Sequence, residues 1–103
     1  MLLTEFTEID EHLLDNFCRR WKIVALESFD SAFSASGCAF HFLATFQKDA
    51  EWGLLEHSRM ENELSELLGR TVELVSRRAI ETSQDAPLRT GILHSARLVY
   101  GRS

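Results

Sequence analysis

The sequence predicts an α+β domain with one small β-sheet. Two observations lead to this class. Segments with helical periodicity alternate with short segments typical of strands, and 45% of the 103 residues are hydrophobic. A chain of this length buries about 60 to 65% of its unfolded surface, which suffices for one core and not for two. We therefore expect residues 1–103 to form a single domain without a linker or an internal repeat.

A helix followed by a strand is expected near the beginning of the chain. Ile9, Leu13 and Phe17 recur at the spacing of one helix face, which predicts a helix over residues 8–20. Residues 22–29 then have the sequence KIVALESF, a short segment rich in apolar and β-branched residues. This composition predicts the first strand.

The next segment predicts a loop and the central strand. Small residues dominate 31–37, which indicates a loop, and residues 38–46 have the sequence CAFHFLATF. A period of two places alternate residues of this second segment on opposite faces of a strand. One face would contain Cys38, Phe40, Phe42, Ala44 and Phe46, and the other Ala39, His41, Leu43 and Thr45. Both faces are apolar enough for a strand in the middle of the sheet.

The second half of the chain predicts a long helix, a strand, a short helix and a last strand. Residues 51–68 predict a helix with one apolar stripe, while acidic residues and Arg59 point away from it. The stripe consists of Leu54, His57, Met60, Leu64, Leu67 and Leu68. Gly69 would end this helix. Residues 71–76 (TVELVS) predict a third strand, 86–96 a short helix beginning near a proline, and 97–100 a fourth strand.

Composition and charge exclude several classes of function. The formal net charge of −5 disfavours a nucleic-acid partner, because Arg77 and Arg78 are too few cations to neutralise a phosphate backbone. No apolar run approaches the roughly 20 residues of a membrane span, and the first ten residues are acidic where a signal peptide would be basic. We therefore expect a cytoplasmic protein that contacts neither nucleic acid nor membrane.

Three stretches together resemble the minimal nucleotidyltransferases, small members of the polymerase-beta superfamily found in prokaryotic toxin and antitoxin pairs. Residues 61–75 (ENELSELLGRTVELV) are similar to the family's helix, Gly-Arg turn and following strand. Residues 17–20 (FCRR) are similar to the end of its opening helix, and residues 29–32 (FDSA) stand where members have Phe-Gly-Ser-Ala. The resemblance implies a nucleotidyltransferase-like fold, with a small mixed sheet packed with helices on one side.

The resemblance also implies where a catalytic site would lie. Members of this family hold two divalent cations with a pair of aspartates on one strand and a third acid on the next, after a Gly-Ser turn that grips phosphate. Here Ala39 and His41 fall at the paired positions, Glu73 at the third, and Asp30 replaces the glycine before Ser31. One carboxylate cannot hold two metals, and Asp30 would repel a triphosphate. We expect a catalytically inactive protein without metal or cofactor.

The resemblance implies a protein-binding or antitoxin function, with a helical HEPN-type toxin or a second copy of the chain as partner. An alternative keeps the protein an enzyme that moves AMP from ATP onto a protein side chain. It would then need magnesium, held by Glu73 with Asp30 or Asp49 in a rearranged site. A nucleotide sensor that binds without catalysis is a third possibility.

Overall fold

The computed structural model describes residues 11–29 and 37–101, which form four helices and four strands. The elements are α1 (Glu11–Arg20), β1 (Ile23–Ser28), β2 (Phe40–Phe46), α2 (Leu54–Leu68), β3 (Val72–Ser76), α3 (Arg77–Glu81), α4 (Ala86–Ser95) and β4 (Arg97–Gly101). This order confirms the predicted α+β class. The sequence did not predict α3. No helix in the described part is long and apolar enough to cross a membrane.

Some predicted features lie outside the described residues. The beginning of the first predicted helix, at residues 8–10, is among them, and so is most of the predicted loop at 31–37. Asp30 and Ser31 also lie outside the described ranges.

The four strands form one mixed sheet in the order β3-β2-β1-β4. β1 is antiparallel to both β2 and β4, whereas β2 and β3 are parallel and are connected by α2. A bulge at Val24 shifts the register, so that Ile23 lies opposite Phe46 and Ala25 opposite Thr45. The bulge explains why Ile23 and Leu26 are both buried in the same core although they are three residues apart.

Helices pack against both faces of the sheet. On one face, Phe42 and Ala44 of β2 belong to a core that also contains buried residues of α1 and α2. On the other face, Leu43 packs with Ile80 of α3 and Ile92 of α4. The predicted alternation of β2 is therefore correct, but the expectation of helices on one side only was wrong. Leu43 is fully buried, so helices must also pack against its face of the sheet.

The buried face of α1 differs slightly from the predicted stripe. Leu14, Phe17 and Cys18 are buried, whereas Leu13 is 50% exposed. These three residues still follow the spacing of three and four that defines one helix face, shifted by one position. The hydroxyl of Tyr100 in β4 donates to Asp15 Oδ1 of α1 at 2.5 Å, which ties the helix to the edge of the sheet.

The helix α2 begins three residues later than predicted and ends where predicted. Gly53 precedes it, and the Gly53 N–H donates to Glu56 Oε1 at 2.9 Å. The side chain of Glu56, in the first turn of the helix, thus caps its beginning. At the other end Gly69 has a φ of 72°, and its N–H donates to Ser65 O at 2.8 Å. This left-handed conformation costs little for glycine and more for any other residue.

We expect Gly69→Ala to lower the free energy of unfolding by about 1 kcal/mol. A Cβ at this position would meet no atom within 4 Å, so the cost comes from the backbone conformation alone. Thermal unfolding should show a Tm lower by about 4 to 8 °C. Ser58→Ala, at an exposed position of α2, is the matched control and should not lower the Tm. An unchanged Tm in Gly69→Ala would contradict the prediction.

Side chains of α2 cover the outer edge of β3. The Val72 N–H donates to Ser65 Oγ at 3.1 Å, and the Leu74 N–H donates to Glu61 Oε2 at 2.9 Å. His57 Nε2 donates to the carbonyl oxygen of Leu74. These bonds occupy backbone groups that an edge strand would otherwise offer to another chain. His57, which the sequence left open between a core and an interface residue, therefore lies at the contact between helix and strand.

Candidate functional site

The structure brings His41 and Glu73 together. They are register partners on the parallel strands β2 and β3, so their side chains point to the same face of the sheet. His41 Nε2 lies 3.7 Å from Glu73 Oε1. The side chain of His41 is only 3% exposed, and that of Glu73 is 27% exposed. This pair is the centre of the candidate site.

Ala39 lies just before β2 and not within it. The predicted strand began at residue 38, but the observed strand begins at Phe40, whose register partner Val72 is also the first residue of β3. Residues before Phe40 therefore have no partner in the β3 ladder. The Ala39 N–H instead donates to the backbone oxygen of Thr71 at 3.1 Å and to Thr71 Oγ1 at 3.0 Å. Ala39 is exposed at the edge of the site.

An aromatic ring covers the other side of His41. The ring centroids of Phe29 and His41 are 5.5 Å apart with an interplanar angle of 55°, and the Phe29 N–H donates to the backbone oxygen of His41 at 3.0 Å. Phe29 is itself buried. Among the described residues, the imidazole therefore has an apolar ring and one carboxylate as neighbours. Asp30 directly follows Phe29 in the sequence.

The described residues offer poor ligands for divalent cations. Among residues 11–29 and 37–101, no group of three His, Cys, Asp or Glu side chains could hold a metal ion. His41 and Glu73 together supply one nitrogen and one carboxylate, whereas magnesium prefers several oxygen ligands in octahedral geometry. The pair by itself supplies one carboxylate, which is too few oxygen ligands for a two-metal centre.

Asp49 does not join Glu73. It follows the end of β2, whereas Glu73 lies opposite His41 near the beginning of that strand. Seven residues of strand span about 20 Å. Asp49 Oδ2 instead forms an ion pair with Lys22 Nζ at 3.2 Å. The rearranged site that would combine these two carboxylates is therefore not assembled in the structure.

An ion-pair network that the sequence did not predict lies on the same face of the sheet. Arg77 Nη1 lies 2.6 Å from Glu27 Oε1 on β1, and Arg77 Nε lies 3.0 Å from Glu81 Oε2 on α3. Hydrogen bonds to Glu27 and then to Glu81 raise the pKa of Arg77 above its ordinary value. The spacing of four between Arg77 and Glu81 was a visible signal. No signal in the sequence indicated the ion pair between Arg77 and Glu27, which are fifty residues apart.

The fold defines the class of protein: it is a nucleotidyltransferase fold. The fold is, more particularly, that of the minimal nucleotidyltransferases. A solved structure provisionally identified as a minimal nucleotidyltransferase superposes with a TM-score of 0.55 and 25% identity, covering 90% of this chain and 99% of the other. The resemblance predicted from the sequence is confirmed.

Two structures of toxin and antitoxin complexes are also similar. One contains a tri-AMPylated Shewanella oneidensis HEPN toxin in complex with an MNT antitoxin, at a TM-score of 0.59 and 15% identity, covering 89% of this chain and 70% of the other. Another is a toxin–antitoxin structure with AMP-PNP, at a TM-score of 0.60 and 14% identity, covering 92% and 76%. These identities show the fold alone. No family model and no curated protein matches the sequence.

Proposed function

We propose that this protein is an antitoxin-like binding partner of a helical HEPN-type toxin and that it does not transfer nucleotides. The observation that supports the second part is the chemistry of the site. Of Ala39, His41 and Glu73, only Glu73 provides a carboxylate. Nucleotidyl transfer needs cations that neutralise the triphosphate and activate the attacking oxygen. Among the described residues of the site, one acid lies near the buried imidazole, which supports the proposal that nucleotide transfer lacks this electrostatic help.

The partner is supported by the fold neighbours. One of them is an MNT antitoxin complex with a HEPN toxin, and this chain superposes on 70% of the matched chain. A function based on binding does not need the lost carboxylates, since contact surfaces depend on shape and apolar area. Binding to a second copy of the chain and location in the cytoplasm remain predictions.

Two adjacent leucines support a function in protein binding. The sequence predicted that Leu54 belongs to the buried stripe of α2, but the residue is 91% exposed, and Leu55 is 64% exposed. The prediction was wrong because the first turn of α2 extends beyond the core, whose buried helix residues are Met60 and Leu64. Exposed apolar side chains next to each other are typical of contact surfaces.

A mixing experiment tests the proposed function. The protein would be co-expressed with the product of the neighbouring gene and purified by size-exclusion chromatography, with bacterial growth as a second readout. We expect a stable complex and relief of toxicity. Replacing Leu54 and Leu55 by serine should weaken the complex, whereas Ser58→Asp on the same helix is the control. Absence of both a complex and relief of toxicity would reject the proposal.

An active AMP-transfer enzyme is the second candidate. It is favoured by one observation, that similar structures contain an AMPylated toxin or AMP-PNP. Incubation with labelled ATP, magnesium or manganese and the toxin distinguishes the two candidates. We expect no incorporation of label. Label that enters the toxin and disappears in Glu73→Gln would establish the enzyme and overturn the inactive assignment.

A further inference from the structure

A cavity of about 620 Å³ lies at the opposite end of the strands from His41 and Glu73. It is formed where the parallel strands β2 and β3 end, between the segment after β2, the first turn of α2, and α3. Ligands of α/β sheets bind preferentially beyond the carboxyl ends of parallel strands, and this volume is within the range of small-molecule pockets. Its lining includes Phe46, Lys48, Trp52, Ser76, Arg78 and Thr82.

The cavity is basic although the whole chain is acidic. Lys48, Arg77 and Arg78 line it together with one acidic residue, Glu81, so three cations minus one anion give the lining a charge of +2. The chain as a whole has a formal charge of −5. Such a local reversal of sign attracts anions to this point of the surface.

Two of these cations are available to a ligand. Arg77 is already held by Glu27 and Glu81. The side chains of Lys48 and Arg78 form no ion pair with any residue in 11–29 or 37–101, and both are exposed. A guanidinium and an ammonium at one cavity are suited to the oxygens of a phosphate or a carboxylate.

A fixed aromatic ring forms part of the wall. Trp52 Nε1 donates to the backbone oxygen of Trp21 at 2.9 Å, and the two indole rings meet edge to face with centroids 5.2 Å apart. Because its only polar atom is bonded to Trp21, the ring of Trp52 offers the cavity an apolar surface. Phe46, half-buried, lines the cavity as well. The lining thus combines cations with flat apolar area.

Hydroxyl groups add donors near the cations. Ser76 caps α3, and its Oγ accepts from the Ala79 N–H at 3.4 Å, so its own O–H stays able to donate. Thr45 also lines the cavity. The Thr82 hydroxyl instead donates to the backbone oxygen of Arg78 at 2.9 Å, which holds the end of α3 in place.

We propose that this cavity binds a small organic anion in which a phosphate or carboxylate is attached to a flat ring. The anionic group would lie between Lys48 and Arg78, within reach of the Ser76 hydroxyl, and the ring would lie against Trp52. This site is separate from the His41 and Glu73 pair, and it does not depend on the proposed partner.

Phenyl phosphate is the probe that tests the proposal. A titration of the ¹⁵N-labelled protein, followed by NMR, should show saturable shifts of amide signals in residues 44–52 and 76–82. Phenol lacks the anion and inorganic phosphate lacks the ring, so each should bind at least ten-fold more weakly. Arg78→Glu and Lys48→Glu should each weaken phenyl phosphate binding at least ten-fold. Arg70→Glu, an exposed arginine outside the cavity lining, is the matched control and should bind normally.

Several results would overturn the proposal. One is that phenyl phosphate causes no saturable shifts, or shifts centred on residues 41 and 73. Another is that inorganic phosphate binds as tightly as phenyl phosphate, or that Arg70→Glu loses as much affinity as the two cavity variants. Unchanged amide signals in α1 and β4 would show that each variant is folded, and either cavity variant can decide the outcome if the other does not fold. The toxin-binding experiment uses no phenyl phosphate, so failure of one proposal is distinguishable from failure of the other.

Discussion

Phe42→Ala is expected to lower the free energy of unfolding by about 3 to 5 kcal/mol. Phe42 is 1% exposed and lies on β2, between β1 and β3. Its register partners are Ser28 and Leu74, so its ring packs where three strands and the helices α1 and α2 meet. Truncation removes this buried area and leaves a cavity that a central strand cannot close.

The loss is large compared with the total stability of a domain of this size, about 5 to 15 kcal/mol. Urea unfolding followed by tryptophan fluorescence measures it as a lower midpoint at an unchanged slope. Leu98→Ala on β4 is the control, because Leu98 is 60% exposed and its truncation should change the free energy of unfolding by less than about 0.5 kcal/mol. Equal effects of the two substitutions would show that the core is not organised around β2.

His41→Asp is expected to lower the free energy of unfolding by about 3 kcal/mol at pH 8. The substitution places a carboxylate in a position that is almost fully buried, on the register partner of Glu73 and beside the ring of Phe29. Burial and repulsion by Glu73 both disfavour the charged form. The fold would therefore have to accommodate two neighbouring acids without the cations that such a pair needs.

The pH dependence follows from the sign of the pKa shift. Both causes raise the folded-state pKa of the introduced carboxyl above its ordinary value of about 3.9. His41→Asn is the uncharged control. The free energies of unfolding of the two variants should be most similar below about pH 4, and that of His41→Asp should become the lower of the two as the pH rises. Thermal unfolding of both variants between pH 4 and pH 8 checks this expectation. Equal Tm values at pH 8 would mean that the site tolerates an acid pair, and would weaken the proposal that the protein does not transfer nucleotides.

Local patterns in the sequence were sufficient to predict most elements. The alternation in β2 and the glycine that ends α2 depend on neighbours within a few residues, and both agree with the structure. The motif in residues 61–75 predicted the α2-turn-β3 unit, and with it the nucleotidyltransferase-like fold. Alternation and helix termination are short-range effects, so they can be recognised without knowledge of the partners.

The predictions that failed concern residues at the end of an element or outside the core. Ala39 lies before β2 because β3 offers no partner there, and Leu54 is exposed because the first turn of α2 extends past the sheet. The helix α3 was missed although Ser76 is a good N-cap and Arg77 and Glu81 have helical spacing. Five residues show too little periodicity to be recognised without the sheet against which they pack.

The sequence by itself determined which residue types stand at positions 39, 41 and 73, because that depends only on the order of side chains along the chain. It also determined the alternation that separates the two faces of β2. Only the tertiary structure decided that His41 contacts Glu73, that Arg77 is held by Glu27, and that Lys48 and Arg78 share one cavity. These contacts join residues 30 to 50 positions apart, and strand register and helix packing, which bring them together, are properties of the whole fold.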